Sequence, residues 1–151
     1  MSQRSSRHSS FVIERKYPAS PARVFSAWSD IEVKARWFAG SDEWTLVERK
    51  MDFRIGGREK LKGRWKSGMV SDYDSLYYDI IENERIIYTY DMRLNDKKIS
   101  VSLSTVEFRP AGSGTLLTYN EQDVFLDEFE DNGSRERGTQ ELLDRLTTAL
   151  T

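Results

Sequence analysis

Between residues 45 and 124 apolar and polar positions alternate in short runs, each closed by glycine, asparagine, aspartate or proline. Alternation with period two is the pattern of strands buried on one face. The runs are TLVERKMDFRI (45–55), REKLKGRW (58–65), DYDSLYYDII (72–81), IIYTYDMRL (86–94), ISVSLSTVEF (99–108) and TLLTYNEQDV (115–124). Gly56-Gly57, Ser67-Gly68, Asn83-Glu84, Asn95-Asp96 and PAGSG separate them. Connections this short make neighbouring strands antiparallel. FVIERKY (11–17) is a further strand, ended by Pro18.

The period changes in two places. After Pro18, Ser20 offers an N-cap oxygen and Pro21 takes the first helical position, where its missing N–H costs nothing. Val24, Phe25 and Trp28 then fall on one face. Asp30 caps a second segment with Val33, Trp37 and Phe38. Two helices of about eight residues are unstable in water alone, so they require a large apolar surface to rest on. Residues 134–150 carry the other helical stripe, Leu142, Leu143, Leu146, Ala149 and Leu150. Gly138 sits early in it at a cost of about 1 kcal/mol relative to alanine. Its expected use is to let the sheet, or something bound there, come close. The element order predicts an α+β fold. A curved antiparallel sheet of about seven strands wraps a long C-terminal helix, and the helix pair plugs an open end.

Several stretches carry a family likeness. YPASPARVFSAWSD…ARWF, DFRIGGR (52–58), DIIENERIIYTY (79–90), GTLLTYNE (114–121) and ELLDRLTTAL (141–150) resemble motifs of the activator of heat-shock protein ninety ATPase homologue family. That family lies in the START-like, or polyketide cyclase-like, helix-grip (SRPBCC) superfamily. The resemblance spans about residues 11–150 and implies the same fold, with a ligand cavity between sheet and final helix. Many relatives carry histidine where this chain has Glu121, and Gly-Trp where it has Gly138-Thr139.

Composition narrows the chemistry. With 151 residues, a single domain over 11–151 is expected, preceded by a disordered tail, residues 1–10. The 23 basic and 25 acidic residues are interspersed, which predicts no nucleic-acid partner. No run of 18 apolar residues occurs and the tail lacks an apolar segment, so no membrane partner and a cytoplasmic location are expected. There is no cysteine, and the lone His8 is placed in the tail. Thiol catalysis, serine–histidine triads and His/Cys zinc sites are therefore not expected. GSGTLL lacks the third glycine of a dinucleotide loop. An EF-hand register beginning at Glu128 places Thr139 where a glutamate is needed. No cofactor and no metal are predicted.

What remains is aromatic. Ile86, Tyr88, Tyr90 and Met92 share one strand face, and Thr115, Leu117, Tyr119 and Glu121 share another. Leu61, Gly63 and Trp65 align, as do Leu76, Tyr78 and Ile80. Val106 and Phe108 add to the set, with a bulge expected near Thr105. These faces either fill the core or line a cavity. In the second case Phe53, Trp65, Tyr78, Tyr88, Tyr90, Met92, Phe108, Tyr119, Glu121 and Gly138 are the candidate ligand-binding residues. Glu121 on an inward face would be desolvated, with a raised pKa, and is then the candidate acid or base; exposed or salt-bridged, it has no such role. Three readings stay open: a binder of a small hydrophobic or aromatic ligand, a cyclase- or hydrolase-type enzyme using Glu121 and a pocket tyrosine, and a co-chaperone-like interaction module. Whether the chain forms a homodimer is open as well.

Overall fold

The computed structural model describes residues 4–150. Strand β1 (Ser6–Tyr17) leads into α1 (Pro21–Ser29) and α2 (Ile31–Trp37). Six strands follow: β2 (Trp44–Met51), β3 (Arg58–Trp65), β4 (Val70–Ile81), β5 (Arg85–Leu94), β6 (Lys97–Ala111) and β7 (Gly114–Leu126). Helix α3 (Ser134–Ala149) closes the chain. All seven strands form one antiparallel sheet in the order β1-β7-β6-β5-β4-β3-β2. The sheet is curved and open, and the architecture is the helix-grip fold.

The helix pair forms as its caps dictate. Ser20 Oγ accepts from Arg23 N at 3.2 Å, and Asp30 Oδ1 accepts from Glu32 N at 2.9 Å. The two helices lock through Trp28 and Trp37, whose rings meet edge to face with centroids 4.7 Å apart. Trp37 Nε1 donates to Ala27 O at 2.9 Å, so the buried indole leaves no N–H unmet. Phe25 and Trp28 pack on Phe108 of the sheet. From the other side α3 buries Leu143 and Leu146, and Tyr17 Oη donates to Leu143 O at 2.8 Å.

Three sequence expectations are corrected. Residues 6–10, assigned to a disordered tail, are strand: Ser6–Ser10 pair with Leu126–Gln122 of β7, and His8 lies opposite Val124. Their side chains are exposed, so backbone pairing holds them and no apolar pattern announces them. Residues 1–3 of that tail lie outside the described residues.

On β4 the inward residues are Tyr73, Ser75 and Tyr77, not Leu76 and Tyr78. A register shift between Tyr77 and Asp79 inserts one residue. The parity read from Ile80 therefore does not carry back past it, and Tyr78 is 57% exposed.

On β6 no bulge occurs at Thr105, since Ser100–Ala111 pair with β7 in unbroken register. Ser100, Ser102, Ser104, Val106 and Phe108 all face inward, while Val101 and Leu103 face outward. The irregularity lies earlier in β6, at Ile99, which is skipped where Met92 and Arg93 of β5 pair with Ser100 and Lys98. Serines face inward because that end of the core is polar.

Candidate functional site

A pocket of about 560 Å³ lies between the concave face of the sheet and α3, bounded on a third side by α2 and the segment after it. Its walls are chiefly aromatic and aliphatic: Tyr73 of β4, Tyr88, Tyr90 and Met92 of β5, Tyr119 of β7, and Leu142 of α3. Trp44 of β2 and Trp65 of β3, opposite one another in the ladder, also line it. Two glycines make room for the Trp44 indole. A Cβ at Gly63 would fall 1.9 Å from its ring, and one at Gly40 would fall 2.3 Å from its Cγ.

The floor at the β5–β7 end is a hydrogen-bonded network around Glu121. Tyr90 Oη donates to Glu121 Oε2 at 2.8 Å, and Tyr119 Oη and Ser104 Oγ donate to Oε1 at 2.5 and 3.0 Å. Tyr88 and Tyr119 hydroxyls lie 3.2 Å apart. Arg135, in the first turn of α3, reaches across: Nη1 donates to Tyr90 Oη (3.0 Å) and Ser102 Oγ (3.2 Å), and Nη2 donates to Ser100 Oγ (2.8 Å). Ser102 Oγ passes a bond on to Asp123 Oδ1 at 2.5 Å, and Arg135 Nη1 stands 3.5 Å from the same oxygen. Burial first, and then the neighbouring Asp123 carboxylate, push the Glu121 pKa up to about 8. Tyr119 and Arg135 act in the opposite direction. Burial likewise holds the Tyr90 and Tyr119 phenols well above their ordinary range.

A second buried charge stands in the α2 wall. Lys34 Nζ donates to Glu59 Oε1 of β3 at 2.6 Å, and Tyr77 Oη donates to the same oxygen at 2.6 Å. The ammonium also lies 4.7 Å from the Phe38 ring centre. Burial draws the lysine pKa down, while Glu59 pulls it back up.

Of the ten candidates read from sequence, Trp65, Tyr88, Tyr90, Met92, Tyr119 and Gly138 line the pocket. Gly138 contributes open space: a Cβ there would meet nothing within 4 Å, so it does not serve close packing on the sheet. Phe53 and Phe108 belong instead to the core beneath α1, each set edge-on to Phe25. Tyr78 faces away. Glu121 is fully buried but lies behind Tyr90 and Tyr119, not on the pocket wall.

Sequence reasoning passed over Lys34, Tyr73, Arg135, Arg145 and Trp44. A signal existed for two of them. Lys34 precedes Trp37 and Phe38 by three and four positions on one helical face. The serines at 100, 102 and 104 repeat with period two, which marks a polar inward face in want of a polar partner such as Arg135.

A family model described as "Activator of Hsp90 ATPase homolog 1-like protein" matches residues 18–151. An uncharacterised protein from Rhizobium leguminosarum has a solved structure similar to this one, with 45% identity and a TM-score of 0.95. The match covers 99% of this chain and 98% of that chain. A protein from Rhizobium loti is 40% identical with a TM-score of 0.89, over 96% and 99% of the two chains. The AHSA1-like protein from Aeromonas hydrophila, at 20% identity and a TM-score of 0.67 over 94% and 92%, shares the fold. No curated protein matches the chain.

Proposed function

The chain belongs to the Activator of Hsp90 ATPase homolog 1-like family, and we propose that it binds a small hydrophobic ligand in the pocket between α3 and the concave sheet. One observation carries this reading: a recess of about 560 Å³, walled largely by aromatic and aliphatic side chains. Sites for small molecules have this size and lining, with few polar groups to orient what they hold. Each tyrosine hydroxyl of the floor already has a partner, so the floor is rigid and offers a ligand mainly ring faces and edges. An acid–base role for Glu121 finds little support in the geometry. Its oxygens are occupied by Tyr90, Tyr119 and Ser104, and a substrate would have to be reached through those tyrosines.

The test is thermal unfolding of the full chain with a panel of fatty acids, flavonoids and polyketide-like aromatics. A ligand at a hundred times its Kd adds about 2.7 kcal/mol to folding stability, so binders stand out as raised melting temperatures. A flat response across the panel, with no uptake of an apolar fluorescent dye, would exclude the reading.

The family name and Leu46, Val47 and Ile55, all exposed in or just after edge strand β2, favour a second reading as a protein-interaction module. Dose-dependent stimulation of a chaperone ATPase by the purified chain would support it in place of the first.

A further inference from the structure

Three cations line the pocket: Lys34, Arg135 and Arg145. Lys34 is matched by Glu59 at 2.6 Å, and Arg135 by Asp123 at 3.5 Å and Glu121 at 3.9 Å. Arg145, on α3, has no carboxylate within 4.0 Å among the described residues. The lining acids Asp131 and Glu141 both stand farther from it than that. Its Nη1 donates to Gly40 O at 3.1 Å, but its Nε is buried without any acceptor. Among the described residues the other buried side-chain donor bordering the pocket without a partner is Trp28 Nε1. The other two orphan atoms among the described residues, the Ser75 hydroxyl and Asp123 Oδ2, belong to residues outside the lining. What the walls lack is therefore an acceptor, and at Arg145 an anionic one. That Nε is closed off from any incoming atom, so a ligand oxygen meets the guanidinium through Nη2, which is not buried and has no acceptor among the described residues.

The surroundings of Arg145 fix what that oxygen is attached to. Its guanidinium is tied to Gly40 O, and Gly40 and Gly63 both approach the Trp44 indole so closely that neither has room for a Cβ. A group bound at Arg145 thus shares the pocket with the Trp44 indole, with Trp65 across the ladder from Trp44. We propose that the Arg145–Gly40–Trp44 rim is the polar end of the pocket and takes the carboxylate of an aromatic acid, whose ring lies against Trp44. A planar carboxylate matches the paired N–H groups of a guanidinium, and charge-assisted bonds of this kind are about twice as strong as neutral ones. The inference rests on the ligand-binding reading and adds the class of ligand.

Calorimetric titration of the full chain with 2-naphthoic acid and with 2-naphthalenemethanol separates the two. The acid is expected to bind at least about ten-fold more tightly than the alcohol of the same ring. Arg145→Met and Arg145→Gln should bring the acid down to the alcohol's affinity and leave the alcohol unchanged. Arg109→Met, which removes an exposed charge outside the pocket, should preserve the preference. Equal binding of acid and alcohol by the unaltered chain would overturn the inference while leaving a hydrophobic pocket in place. Retained preference in both Arg145 variants, with folding verified by circular dichroism, would overturn it as well. Absence of binding by either compound would overturn the inference, while the ligand-binding reading falls only if the wider panel and the apolar dye also fail to bind.

Discussion

Glu121 is the residue whose chemistry departs furthest from its behaviour in water. Because folding raises its pKa to about 8, the folded chain holds that proton where the unfolded chain has released it. Its contribution to stability is therefore complete below the ordinary carboxylate range. It declines as pH rises from there through about 8, with a slope of at most about 1.4 kcal/mol per pH unit. Urea melts of wild type and Glu121→Gln at pH 5, 6, 7 and 8 should diverge in that direction, the wild type losing ground to the variant with each step. Parallel curves would mean that Glu121 is ionised throughout. The inward placement of Glu121 was legible in the sequence from its period with Leu117 and Tyr119. Its screening by two phenols was not, because whether a side chain lines a space or lies behind its neighbours is decided across strands. Tyr78 shows the opposite limit. A tyrosine in an apolar run reads as core, yet a single inserted residue turns it to solvent and puts Tyr77 in its place.

Among the elements, α2 has most to reveal. Seven residues cannot hold a helix by themselves, so its position depends on what it packs against. Trp37 is 1% exposed and wedged between Trp28 and Phe38. Trp37→Ala should cost about 3–5 kcal/mol in a urea melt, and a loss under about 1 kcal/mol would show that the helix does not depend on it. Lys34→Met should also cost about 3–5 kcal/mol, since it strands the Glu59 carboxylate in the core. Adding Glu59→Gln removes that stranded charge and should return a measurable part of the loss. A double variant no more stable than the single would mean that packing alone sets the cost. The caps Ser20 and Asp30 and the apolar spacing announced both helices. The spacing of Lys34 from Trp37 and Phe38 put it on the inner face, but the charge that lets it be buried there was not readable, because its partner stands on another element, 25 residues away.

At the level of the whole molecule, element order and turn chemistry carried the architecture. The hairpin at Asn95-Asp96 has both residues at positive φ (49° and 66°), the backbone that two-residue antiparallel turns require. The empty space was less legible, since no periodicity states how far one helix fails to fill a curved sheet. Gly138→Leu probes that space directly. It should stabilise the free chain by up to about 1 kcal/mol through helix propensity, and should weaken any ligand that shifts the wild-type melt. Unchanged ligand affinity would place the bound molecule elsewhere. The strand order has one more effect, on how the chain reaches its folded form. Strand β1 has a single neighbour, β7, and the residues that pair, from Ser6 with Leu126 to Tyr17 with Thr115, are separated by most of the intervening chain. A ribosome must therefore carry synthesis through β7 before β1 finds its partner. Until then its amide and carbonyl groups stay unpaired while the five-strand meander from β2 to β6 assembles. Long-range closure of this kind slows folding into the millisecond-to-second range, with β1 docking among the last steps.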